Sequence, residues 1–188
     1  MTLTPEELED DAARPKAPPI PGITPMQELQ GKGLARIHDM YRRELTGVAR
    51  LMADIRAGLA DPAQLPIAIS RMTLTQNLML FGSVCGRQCA LLQNHHDIEE
   101  QWMFPAIGQH ADSGLTAVLD RLKAEHRLIH ALIVELWTVA EPLAEAASDE
   151  GFQACALAFD RLDRAVRSHF RYEEVELAPA IGAYGIGV

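Results

Sequence analysis

Two stretches far apart in the chain, His95-His96-Asp97-Ile98-Glu99-Glu100-Gln101-Trp102-Met103-Phe104-Pro105-Ala106-Ile107-Gly108 and His169-Phe170-Arg171-Tyr172-Glu173-Glu174-Val175-Glu176-Leu177-Ala178-Pro179-Ala180-Ile181-Gly182, share one pattern, H-x-x-x-E-E-x-x-x-x-P-A-I-G. A His and a Glu four residues apart project from one face of a helix, so each copy can present an imidazole and a carboxylate to one metal centre. Between the copies stands His126-Arg127-Leu128-Ile129-His130, a second i,i+4 pair of nitrogen ligands. Buried nitrogen and carboxylate donors at these spacings are metal-ligand chemistry.

Periodicity sorts the doubled residues. His95 and Glu99 continue the apolar stripe of Leu92 and Trp102, whereas His96 and Glu100 lie about 100° further round, in line with Gln93, Asp97 and Gln101. Glu173 follows Leu162, Ala165 and His169, whereas Glu174 aligns with Arg167 and Arg171. Glu99 and Glu173 are thus expected inside, with Glu100 and Glu174 solvated or behind the ligands. His96 is expected on the polar flank and His110 on the surface.

The elements that must position these residues are helical. Apolar stripes at steps of three and four predict helices over about 34–58, 67–104, 114–140 and 149–178. Their stripes include Leu34, His38, Tyr41, Leu45, Val48 and Met52 in the first helix and Leu119, Leu122, His126, His130, Ile133 and Trp137 in the third. The fourth carries Cys155, Ala158, Leu162, Ala165, His169 and Glu173. Short connections predict an all-α, up-down-up-down four-helix bundle. Each stripe holds a histidine, so His38, His95, His126, His130 and His169 converge with Glu99 and Glu173. Seven donors exceed the four that one tetrahedral zinc takes, and two ions bridged by the carboxylates fit better.

Pro15, Pro18, Pro19, Pro21 and Pro25, after the acidic run Glu6 to Asp11, predict a proline-rich, extended or disordered arm over residues 1–33. The body is expected over 34–181, and a flexible glycine-rich tail over 182–188. A net charge of −9 repels phosphate backbones and argues against a nucleic-acid partner. No apolar run reaches the length of a membrane span, and the first residues lack a signal-peptide pattern, so a soluble cytoplasmic protein is the expectation. Cys85, Cys89 and Cys155 form no disulfide framework and read as core residues. The early part of the second helix (Ile67, Ile69, Met72, Leu74, Leu78, Leu80) is rich in apolar surface, which either the arm or a second subunit in a homodimer would cover.

The motif set resembles that of hemerythrin-like (HHE cation-binding) domains. These carry a His in the first helix, H-x-x-x-E-E followed by F-P, then E-H-x-x-x-H, then a final H-x-x-x-E-E; here they are His38, His95 to Pro105, Glu125 to His130, and His169 to Glu174. The resemblance spans about 34–181. It implies a non-haem centre of two Fe ions with an oxo or hydroxo bridge. One iron would be held by His126, His130 and His169, the other by His38 and His95 with an open position, and Glu99 and Glu173 would span both. Invertebrate oxygen carriers place the last carboxylate five residues after its His, as Asp; here Glu173 stands at four and Glu174 at five. In some relatives a tyrosine replaces an oxygen ligand, and Tyr172 is the candidate here. The resemblance implies reversible binding of O2, NO or peroxide for storage, delivery or sensing. A di-iron enzyme that removes peroxide or NO is the alternative, with His96, Tyr41 or Tyr172 as proton donors.

Overall fold

The computed structural model describes residues 3–73 and 95–187, and every regular element among them is helical. The chain forms two compact units.

The first unit comprises residues 1–39, 95–128 and 165–188. Its arm is not uniformly extended. Prolines exclude a long helix but suit the first position of a short one, where the missing N–H is not needed. Helix α1 (Pro5–Glu9) and helix α2 (Pro25–Gly31) both begin that way, each behind a reciprocal capping box, Thr4 with Glu7 and Thr24 with Gln27. The opening of α3 (Gly33–Arg56) follows. Next come α5 (His95–Ile98), a π-helical turn (Glu99–Met103) and α6 (Phe104–Gly108). Asp112 Oδ1 accepts from Leu115 N and so caps α7 (Ser113–Ala140).

The last element is α8 (Asp149–Tyr184). It runs through Pro179, beyond the end expected at 178, and stops before Gly185, whose φ of 64° lies in the left-handed region that glycine favours. Gly182 is therefore helical rather than part of a frayed tail. A Cβ on Gly182 would lie 2.0 Å from the Gln27 carbonyl oxygen, and one on Gly31 would lie 2.1 Å from that of Ala178. These two glycines let α2 and the end of α8 meet backbone to backbone.

The unit's apolar core gathers Leu34, Phe104, Ile107, Val118, Leu122 and Leu177 among others, with Ala17 and Ile20 of the arm packed against it. Each fully buried large apolar side chain contributes roughly 1.5–3 kcal/mol.

The second unit comprises residues 40–94 and 129–164. Its described core includes Tyr41, Leu45, Val48, Met52, Ile133, Cys155, Ala158 and Leu162, all on the expected stripes. Helix α4 (Gln64–Arg71) buries Leu65 and Ile69 and packs against a 3-10 turn at Glu141–Ala144. Ser148 Oγ accepts from Gly151 N and so caps α8. Cys155 is a buried free thiol whose pKa burial pushes up to about 11, consistent with a core residue. Of the surplus apolar residues, Ile69 and Met72 are buried and Ile67 is exposed. Leu74, Leu78, Leu80, Cys85, Cys89 and Leu92, with the middle of the expected second helix, lie outside the described residues. No described helix is long and apolar enough to cross a membrane.

Candidate metal centre

Among the described residues, the buried charged and histidine side chains lie in the first unit. His38 on α3, His95 and His96 on α5, Glu99 at the start of the π turn, His126 on α7, and His169 and Glu173 on α8 are all buried. They form two clusters whose ligand atoms lie within 4.8 Å of one another: His38, His95, Glu99 and Glu173 in one, His96, His126 and His169 in the other.

The two inner carboxylates face both clusters. Glu99 Oε1 lies 3.0 Å from His95 Nε2, and Glu99 Oε2 lies 3.5 Å from His126 Nε2. Glu173 Oε2 is 3.4 Å from His38 Nε2 and 3.7 Å from His169 Nε2. His38 and His95 bring their Nε2 atoms to 2.9 Å.

Behind the imidazoles stands a second ring of carboxylates, and it explains why each Glu is doubled. Nδ1 of His126 bonds to Glu100 Oε1 at 2.8 Å, and Nδ1 of His38 bonds to Glu174 Oε1 at 2.7 Å. In both copies of the repeat the first Glu faces the clusters and the second reaches a histidine on another helix. Nδ1 of His169 bonds to Glu125 Oε2 at 3.1 Å. A bond at Nδ1 fixes the ring and leaves the Nε2 lone pair for a cation, the outer arrangement that metal-binding histidines usually have.

The donor set fits a cation on its own chemistry. Both oxygens of Glu99, both of Glu173, and Nε2 of His126 and of His169 are buried without a hydrogen-bond partner. Orphaned buried polar atoms are costly, and a metal ion satisfies them together. Electrostatics agree. Burial holds His95 at a pKa of about 3 and His126 at about 4, the latter against its bond to Glu100, so both are neutral ligands at neutral pH. Burial and the charges of Glu173 and Glu100 push Glu99 well above the carboxylate range. Burial opposes charge on Glu173, but the nearby His38 ring and the other imidazoles bring it down to about 2. Charge on Glu173 thus disfavours charge on Glu99, a conflict that a shared cation would relieve.

Three placements differ from the periodic reading. His96, expected on the polar flank, is only 1% exposed, with its ring stacked on His126 at 3.9 Å. Adjacent residues 100° apart can straddle one inward direction, and here His95 meets His38 while His96 meets His126. Trp102, expected inside, is 68% exposed. The wider π turn shifts the register by one residue, so Met103 and Phe104 take the inward places. His130, one turn beyond His126, is half-buried and outside both clusters.

Glu100 and Glu174 stand behind the ligand rings as their outer partners and stay partly exposed. Tyr172 is buried, and its hydroxyl donates to the Pro15 carbonyl at 2.8 Å. His110 is exposed, as expected, and stacks on Tyr184.

The family model of the hemerythrin HHE cation-binding domain matches residues 34–181. The chain belongs to that family. No curated protein and no solved structure matches it. Membership of a cation-binding family agrees with a hemerythrin-like centre built from the two clusters.

Proposed function

We propose that this hemerythrin-like protein is a non-haem di-iron protein that binds O2 or a related small ligand, NO or peroxide, for storage, delivery or sensing. The observation that carries the reading is the pair of buried clusters with Glu99 and Glu173 facing both. In this reading the helices form an up-down-up-down four-helix bundle around the centre.

The ligand set is His38, His95, Glu99, His126, His169 and Glu173, with a third nitrogen for the His126–His169 ion. The sequence pattern names His130 for that place; burial and the cluster geometry favour His96. Two irons there would supply reversible redox chemistry toward small oxidants. The protein's own part is to present neutral Nε2 donors, hold each ring at Nδ1, and keep water out with Leu122 and Phe104, which are buried in the same unit. Tyr172, engaged with Pro15, is committed to the arm, which supports carboxylate rather than phenolate oxygen at the centre.

The test is metal analysis with the visible spectrum of the reduced protein on adding oxygen, then peroxide. A stable, reversible oxygen-dependent spectrum is expected. Catalytic consumption of peroxide or NO would replace binding with the enzyme reading.

A further inference from the structure

The arm reaches the centre through one side chain. Arg14 is 3% exposed although it lies among prolines and acidic residues. Its guanidinium grips Glu125 with both ends of the fork, Nε to Oε1 at 2.9 Å and Nη2 to Oε2 at 3.0 Å. Nη1 donates to Ser168 Oγ at 3.0 Å and to Asp11 Oδ1 at 2.8 Å, and the group lies over the Tyr172 ring at 4.6 Å. The Glu125 oxygen that takes Nη2 also takes Nδ1 of His169.

Three carboxylates hold candidate ligand rings, and they differ in access to water. The side chains of Glu100 and Glu174 are 37% and 22% exposed, whereas that of Glu125 is 0% exposed. Water can therefore support the first two when a neighbour is lost. A sealed carboxylate depends on its cations, and a bidentate arginine fixes orientation as well as charge. Arg121 also reaches Glu125, but with its Nε alone and only to Oε1, the oxygen that does not meet His169.

Neighbouring contacts strap the arm down on both sides of Arg14. Arg171 pairs with Asp11 at 2.7 Å, Tyr172 holds Pro15, and Ala17 N donates to Glu176 at 2.7 Å. These partners alternate with the ligands along α8, so the arm lies on the turn that carries His169 and Glu173.

We propose that the arm is a built-in strap and that Arg14 is a positioning residue for the metal centre. Through Glu125 it sets the orientation of His169, so that docking of the arm and metal loading promote each other. Any such coupling is reciprocal: whatever factor the docked arm adds to metal affinity, bound metal adds to docking.

The proposal rests on the metal centre proposed above, and the experiment separates the two. Co(II) is titrated into the full-length chain against a chromogenic chelator, with its visible d–d spectrum recorded. Hydrogen exchange of residues 10–18 is followed with and without Co(II). For Arg14→Ala the expectation is a loss of about 10–100-fold in affinity for one of two ions, the size typical of an outer-partner loss. An altered cobalt spectrum and partial recovery on adding free guanidinium should accompany it.

In the unaltered chain Co(II) should slow exchange across residues 10–18, a readout that holds even if the variant fails to fold. Wild-type affinity and spectrum in Arg14→Ala, a loss that guanidinium does not recover, or exchange in the arm indifferent to Co(II) would each overturn the strap while leaving the centre standing. A wild-type chain that takes up no cobalt would overturn both.

Discussion

Nδ1 of His126 bonds to the carboxylate of Glu100 at 2.8 Å, from one helix of the unit to the next. The same relation joins His38 to Glu174, so the outer ring is built twice by the repeat itself. Losing the outer partner loosens the ring without removing a donor to the metal. Glu100→Ala and Glu174→Ala should each weaken binding of one ion by about 10–100-fold. The corresponding Gln variants, which keep a neutral acceptor, should lose less. Chelator competition measures both, and unchanged affinity in the Ala variants would contradict the outer-ring role.

His96 and His130 make opposite cases for the third nitrogen. By periodicity alone His96→Ala would be silent. With His96 buried against His126, the variant should instead lose one ion and leave the His38–His95 ion in place. His130→Ala should retain both. Metal counts on purified variants decide, and the reverse pattern would return His130 to the ligand set.

Stability of the metal-free protein should peak near pH 6.5. Below that value unfolded histidines take protons that His95 and His126 refuse until about 3 and about 4, so the unfolded chain binds more protons and acid destabilises the fold. Glu99, kept protonated above its ordinary range, opposes one of these two. With two histidines set against one carboxyl, the net effect from pH 6.5 to 4.5 is a loss of stability on acidification.

Above pH 6.5 the sign reverses. Burial works against charge on His38, but Glu173 and Glu174 outweigh it and raise its pKa, so the folded chain keeps a proton the unfolded one has released. That stabilisation is lost as pH rises through the folded value. Urea midpoints at pH 4.5, 6.5 and 8.5 check this; a midpoint that rises steadily toward either extreme would contradict it.

The glycine crossing of α2 with α8 leaves no room for a methyl group. Gly182→Ala places a carbon against the Gln27 carbonyl and Gly31→Ala against that of Ala178, both backbone atoms that cannot swing aside. Each should destabilise the protein by about 1–3 kcal/mol, the usual cost of overpacking. Gly47→Ala, with nothing near its Cβ, should be neutral or stabilising. Chemical denaturation of the three variants tests the ordering.

Much of the centre is legible because helical period is local information. His38, His126, His169 and Glu173 stand on unbroken apolar stripes, and all are buried where the stripes aim them. Two things escape a fixed period. The π turn at Glu99–Met103 alters the turn itself, so Trp102 leaves the core and Met103 enters it. Neighbouring inward positions such as His95 and His96 also violate a narrow stripe whenever partners stand on both sides.

Arg14 was hidden for a different reason. Its partner Glu125 is more than a hundred residues away, and an arginine between an acidic run and prolines has no pattern of its own. The usable signal was Glu125, an acid beside a ligand histidine that needs a cation from somewhere in the chain.

Iron content, with the visible spectrum of the reduced protein before and after oxygen, bears most directly on the account. Protein from iron-replete growth should carry two irons per chain and develop oxygen-dependent charge-transfer bands, and Glu99→Ala should lose both features. A single zinc per chain with no iron, and no spectral response to oxygen, would contradict the account.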